Sequence, residues 1–146
     1  DLLPCLNTLA SNLKLACHML GEHQIQPVFE MINGADMPRF LVQNIAQAQD
    51  ILEAIKNPNL KMQFDCYHMA MMGENVLEAL QENIDNIGHI QFADCPNRHE
   101  PDTANIAYSE IFNWLSTSNY SGFIAAEYKP SKSSILSFDW KKKYFA

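Results

Sequence analysis

KMQFDCYH, residues 61–68, alternates polar and apolar side chains until it reaches an acidic residue. A period of two puts Lys61, Gln63 and Asp65 on one side of a strand and Met62, Phe64 and Cys66 on the other. Three more apolar segments carry a polar residue at or near their C-terminal end: VFEMIN at Glu30, HIQFAD at Gln91 and FIAAEYKP at Glu127. The four residues stand 35, 26 and 36 positions apart. Each interval is the length of a strand, a helix and their loops. In a parallel βα array the C-terminal ends of the strands share one face, where loops build active sites. Four polar strand ends therefore predict one shared site around a hard metal ion.

Between these strands lie helical patterns. Residues 5–23 repeat Leu9, Leu13, Ala16, Cys17 and Leu20 at helical spacing, and Asn7 or Thr8 can cap that helix. A strand is expected over 25–32, and Asn33-Gly34 signals a turn. Pro38 suits a first helical turn, followed by an apolar face of Leu41, Ile45, Ala48, Leu52 and Ile55. Asn57-Pro58-Asn59 stops that helix, and 61–66 form the second strand. A helix over 75–86 ends at Gly88, a strand runs over 89–94, and a polar loop over 95–106 carries Arg98, His99 and Glu100. A helix over 108–118 and a strand over 123–128 complete the alternation.

The predicted fold class is α/β, with one domain over 1–146: a leading helix over 1–24, four βα units over 25–130, and a final loop and helix over 131–146. Four βα units make either an open doubly wound sheet or half of an eight-stranded (β/α)8 barrel. The half barrel is favoured. Polar residues end every strand, and Lys61, Gln63 and His89 point where a sheet covered on both faces carries apolar side chains. A whole barrel needs about 250 residues. Half of one leaves edges and an inner face that a missing N-terminal half barrel or a homo-oligomer is expected to cover.

At 146 residues, 47% hydrophobic and 18% charged, the chain is long and apolar enough to bury a core. A net charge of −7 without a basic stripe argues against a nucleic-acid partner, which requires cations for phosphates. No apolar run reads as a membrane span and no stretch reads as a secretory signal. Cys5, Cys17, Cys66 and Cys95 form no CxxC pair, which points to reduced thiols in a cytoplasmic protein.

Longer motifs surround the four strand ends. They are E-x-I-N with a following D-M-P (Glu30, Ile32, Asn33, Asp36, Met37, Pro38), N-P-N-L-K-x-Q-x-D-x-Y-H-M (Asn57 to Met69), I-G-H-I-Q-x-A-D-x-P-x-R-H-E-P (Ile87 to Pro101) and E-Y-K-P (Glu127 to Pro130). On these residues the chain resembles the hydroxypyruvate isomerases of the xylose-isomerase-like TIM-barrel superfamily, from about Asn12 to Pro130. The resemblance implies the C-terminal half of the barrel, strands five to eight. It implies that Glu30, Asp65, Gln91 and Glu127 are metal ligands, that Glu30 and Glu127 are also the catalytic carboxylates, and that His68 and Arg98 contact substrate. Sugar epimerases of the superfamily usually carry His where Gln91 stands. This sequence departs from the pattern at Met31, where the family has Pro, at Ala35, where it has Arg, and at Asp102 to Asn105, where a Gly-Thr-Gly-Glu stretch is usual.

A set of carboxylates and an amide oxygen suits Mg²⁺ or Mn²⁺, whereas zinc prefers His or Cys. The plain alternative is that Asp65 caps a helix and the glutamates are solvated; agreement among four strand ends favours the shared site. The resemblance implies interconversion of hydroxypyruvate and tartronate semialdehyde through an enediolate, with a small carboxylate as substrate. Arg98 offers the fork that fits such a group, or it pairs with Glu100 at the surface. His68 offers a hydrogen bond, or it is a satisfied structural histidine. A related sugar-acid isomerase or epimerase, motivated by the altered 102–105 loop, and a half barrel that keeps its ligands without a closed pocket remain as alternatives. Endonuclease relatives need phosphate-binding cations and several His-liganded metals, and this acidic chain offers neither.

Overall fold

The computed structural model describes residues 2–145. Helix α1 spans Leu3–Gly21, strand β1 Val28–Glu30 and helix α2 Ile45–Ile55. Strand β2 covers Lys61–Asp65 and runs straight into helix α3, Cys66–Met71. Helix α4, Val76–Asn83, tightens into a 3₁₀ turn over Ile84–Asn86 and leads into strand β3, Ile87–Phe92. Helix α5 is Tyr108–Thr117, strand β4 Phe123–Ala126, and two short helices follow, α6 at Ser134–Ser137 and α7 at Asp139–Tyr144.

The four strands form one sheet in chain order, and every pairing is parallel. That order separates the two architectures left open by the βα alternation. A doubly wound sheet reverses its strand order at a switch point, whereas a barrel wall adds each strand beside the last. Alternation then sorts the side chains. Met62 and Phe64 are fully buried, and Ile90 and Phe92 nearly so, against the helix layer. Their neighbours Gln63, His89 and Gln91 are half-buried on the opposite face, where Phe123 of β4 is 83% exposed. The helices cover one face of the sheet, and the other lies open.

Several expected boundaries shift, each for a local reason. Helix α2 begins at Ile45, not near Pro38, because Asn44 supplies the cap by accepting from the Gln47 N–H. The preceding Val42 instead offers its carbonyl to the Ile32 N–H. The strand expected over 25–32 shortens to three residues. Gly88 does not break a helix; it lies within β3. A Cβ there would sit 2.8 Å from Lys61 Cβ and 2.9 Å from Val28 Cγ1, so only glycine lets β3 sit so close to them. Helix α3 was not legible as a helix, since six residues are too few to show a period.

Beyond the sheet, Phe92 packs edge-on to Phe112 of α5 at 5.3 Å and to Trp140 of α7 at 5.1 Å, which ties the last helix to the core. Among the described residues, no helix is long and apolar enough to cross a membrane. All four cysteines are free thiols. Cys66 is buried on the helix side, as alternation predicts.

Candidate active site

The C-terminal strand ends gather carboxylates on one rim. Glu30 closes β1 and Asp65 closes β2, while Gln91 pairs in register with Asp65 from β3. Glu127 stands one residue past β4, and its N–H donates to the Phe92 carbonyl, which extends the ladder by one step. Ligand atoms of Glu30, Asp65 and His68 all lie within 4.8 Å of one another. Gln63, two residues below Asp65, donates from Nε2 to the Gln91 amide oxygen and also bonds the Glu30 carboxylate.

Asp65 has two roles at once. Oδ1 accepts from the Tyr67 N–H at 2.9 Å and caps α3, while Oδ2 receives Arg98 Nη2 at 3.2 Å. The capping expected of Asp65 is thus present, and its second oxygen is engaged by Arg98. Arg98 does not pair with Glu100. Its Nη2 bridges Asp65 and Glu127, and its guanidinium lies 4.8 Å from the Tyr67 ring centre. Glu100 is buried and accepts from the Ser131 N–H and hydroxyl instead.

Loop 95–106, which delivers Arg98, is organised by Asp94. This buried carboxylate accepts main-chain N–H groups from Cys95, Thr103, Ala104 and Ile106. Arg98 sits at φ 55, in the left-handed region that costs a side chain energy. Its carbonyl is held by the Lys129 N–H at 2.7 Å, a bond that links this loop to the exit of β4.

Burial sets the electrostatics. It pushes the Asp65 carboxyl up to about 7, against the opposing hydrogen bond from Tyr67 and the charge of Arg98, with Glu30 and Glu127 adding repulsion. Burial also raises Glu30, opposed by the Gln63 hydrogen bond and aggravated by Glu127. Burial holds His68 below its usual value, and the nearby Arg98 adds to this. Buried Asp65 and half-buried Glu30, carboxylates that repel one another, suit a hard divalent cation, which relieves both penalties. Glu30 and Asp65 fit such an ion by the closeness of their carboxylate oxygens, and Gln91 and Glu127 stand at the neighbouring strand ends.

Three residues of the rim had no assigned role from sequence: Asn33, Asp36 and Tyr67. Asn33 is buried and bonds His68 and Asp36, and the Tyr67 hydroxyl donates to Asp36 Oδ2 at 2.8 Å. Asn33 and Asp36 both lie in the matched E-x-I-N…D-M-P stretch, but Asn33-Gly34 read only as a turn. His89 lies two positions before Gln91 and lines the open cleft at the other end of the strands with Lys61, Tyr120 and Phe123.

This arrangement is that of a βα-barrel wall with an acidic rim at the C-terminal strand ends. Residues 2–144 match the xylose isomerase-like TIM barrel family, and the chain belongs to that family. Curated relatives include a hydroxypyruvate isomerase of Escherichia coli, 36% identical over 94% of this chain and 53% of its own length. A 2-oxo-tetronate isomerase of Cupriavidus necator is 35% identical over 96% of this chain and 54% of its own length. The chain thus spans about half the length of the curated relatives it matches. Among solved structures, an AP endonuclease, family 2, of Brucella melitensis superposes with a TM-score of 0.94 at 27% identity, covering 99% of this chain and 56% of that one. An Escherichia coli 3-keto-D-glucoside 4-epimerase gives 0.84 at 20% identity, over 98% of this chain and 55% of its own, a likeness of fold.

Proposed function

We propose that this chain carries the catalytic rim of an isomerase that interconverts hydroxypyruvate and tartronate semialdehyde. The observation that carries the proposal is the convergence of Glu30, Asp65, Gln91 and Glu127 with Arg98 and His68 at one end of the sheet. Those first four residues would hold a divalent ion, Mg²⁺ or Mn²⁺, which would supply Lewis-acid polarisation of the substrate carbonyl. Arg98 binds the substrate carboxylate with its fork, and in doing so leaves the bridge between Asp65 and Glu127. His68 hydrogen-bonds a substrate oxygen. One of Glu30 and Glu127 takes the carbon-bound proton and the other returns a proton to the adjacent position, so the hydrogen count of the substrate is unchanged.

The relative named 2-oxo-tetronate isomerase supports a second reading, in which the substrate is a four-carbon sugar acid. The net charge of −7 speaks against the endonuclease described for the Brucella structure. We further propose a cytoplasmic location and further strands, from an N-terminal half barrel or another copy, over the open face.

Turnover on hydroxypyruvate and on four-carbon 2-oxo acids, with Mg²⁺ and after EDTA, tests the proposal. Metal-dependent turnover with a preference for hydroxypyruvate is expected, and preference for the longer acid moves the reading to the second substrate. Glu127→Gln is expected to lower turnover by about 10²–10⁴-fold. Full activity in EDTA or in that variant overturns the mechanism.

A further inference from the structure

The cluster of Glu30, Asp65 and His68 leaves open whether His68 joins the metal or serves the substrate, and Asn33 answers it. The Asn33 side-chain oxygen accepts the N–H groups of Ala35 at 3.1 Å and Asp36 at 2.8 Å. A backbone N–H only donates, so these two bonds fix which end of the amide is oxygen. The amide nitrogen then faces His68 Nδ1 at 2.7 Å and Asp36 Oδ2 at 3.0 Å, and both of its hydrogens are used. The Asn33 main-chain N–H points at the same Nδ1, at 3.4 Å. Two donors on Nδ1 leave that nitrogen no room for a proton. The proton of neutral His68 must sit on Nε2, which faces Asp65 Oδ2 across 3.7 Å, too long for a hydrogen bond.

We infer that Asn33 is a positioning residue that locks His68 as the Nε2–H tautomer, making it a hydrogen-bond donor into the site and not a metal ligand. Ligation through Nε2 needs its lone pair, and so a proton on Nδ1, against the two Asn33 donors. Tyr67 and Asp36 brace the arrangement. The Tyr67 hydroxyl shares Asp36 Oδ2 with Asn33, and the Tyr67 ring meets His68 edge-on at 5.2 Å. The tautomer follows from the hydrogen bonds alone; only its service to an enediolate oxygen rests on the proposed function.

Long-range ¹H–¹⁵N correlation spectra of the ¹⁵N-histidine-labelled chain, without metal or substrate, read the tautomer directly. A protonated Nε2 and a bare Nδ1 on His68 are expected; a proton on Nδ1 overturns the inference. In Asn33→Asp, where a carboxylate replaces the donor, the proton is expected to move to Nδ1, and a spectrum unchanged from the parent also overturns it. If the chain turns over hydroxypyruvate, Asn33→Asp is expected to lower kcat by about 10²-fold or more, as a wrong tautomer does in other enzymes. In a His68→Ala background the same change is expected to do nothing further. Equal losses in both backgrounds would mean that Asn33 acts by some other route. Absence of turnover in the parent would defeat the proposed reaction while leaving the tautomer result standing.

Discussion

The Asp65 carboxylate has no exposed surface, yet Arg98, the Tyr67 N–H and the other rim carboxylates all act on it. Burial prevails and raises the carboxyl from 3.8 to about 7. The folded state then keeps a proton that the unfolded chain has already released within that window. Unfolding releases protons there, so stability falls as pH rises through it and the loss is complete above about pH 7. A shift of that size corresponds to a loss on the order of 4 kcal/mol. His68, held neutral, works in the opposite sense, since its contribution is lost as pH falls below the usual histidine range. Urea unfolding of metal-free protein across the acid range should therefore show a downward slope that Asp65→Asn flattens, and saturating Mg²⁺ should flatten it too by favouring the ionised carboxyl. An identical slope in Asp65→Asn would show that burial of this group does not set it.

Among the elements, the loop between β3 and α5 is the least regular segment of the site and the most firmly tied. Asp94 gathers four main-chain N–H groups from it, and Glu100 fastens it to Ser131. Without the Asp94 carboxylate, buried donors lose their acceptor, and Arg98 loses the frame that keeps it at positive φ. Asp94→Ala is expected to cost about 3 kcal/mol in denaturant unfolding. It should also raise the KM for a carboxylate substrate, because Arg98 is no longer aimed. Stability within about 0.5 kcal/mol of the parent would show that solvent takes over those donors. The segment's polar composition marked it as a loop in the sequence. That one aspartate organises it was not legible, since its partners lie up to 12 residues away and are all main-chain groups. Helix α3 escaped for a related reason: its cap is the same Asp65 that ends β2, so strand end and helix start share one residue.

On the scale of the molecule, among the described residues the sheet has helices on one face only, and β1 and β4 are its unpaired edges. Parallel sheets are normally covered on both faces, and bare edges invite further strands. Phe123, 83% exposed on the open face, belongs to a surface that folding alone has not buried. In sedimentation equilibrium the 146-residue chain by itself is therefore expected to run above its monomer mass. A clean monomer that unfolds in one cooperative step would show that the open face is tolerated.

Much of this was written in the linear order of residues, because its causes are local. Alternation in KMQFD placed Met62 and Phe64 toward the helix layer, and the βα spacing brought Glu30, Asp65, Gln91 and Glu127 to the C-terminal strand ends. The family motifs picked out His68 and Arg98. Only the tertiary structure chose Asp65 and Glu127 over Glu100 as partners of Arg98, made Asn33 the neighbour of His68 35 residues away, and stood Asp94 under its loop. Hydrogen bonds and desolvation depend on which groups meet in space. A period along the chain decides which face a side chain takes, but not what waits for it there.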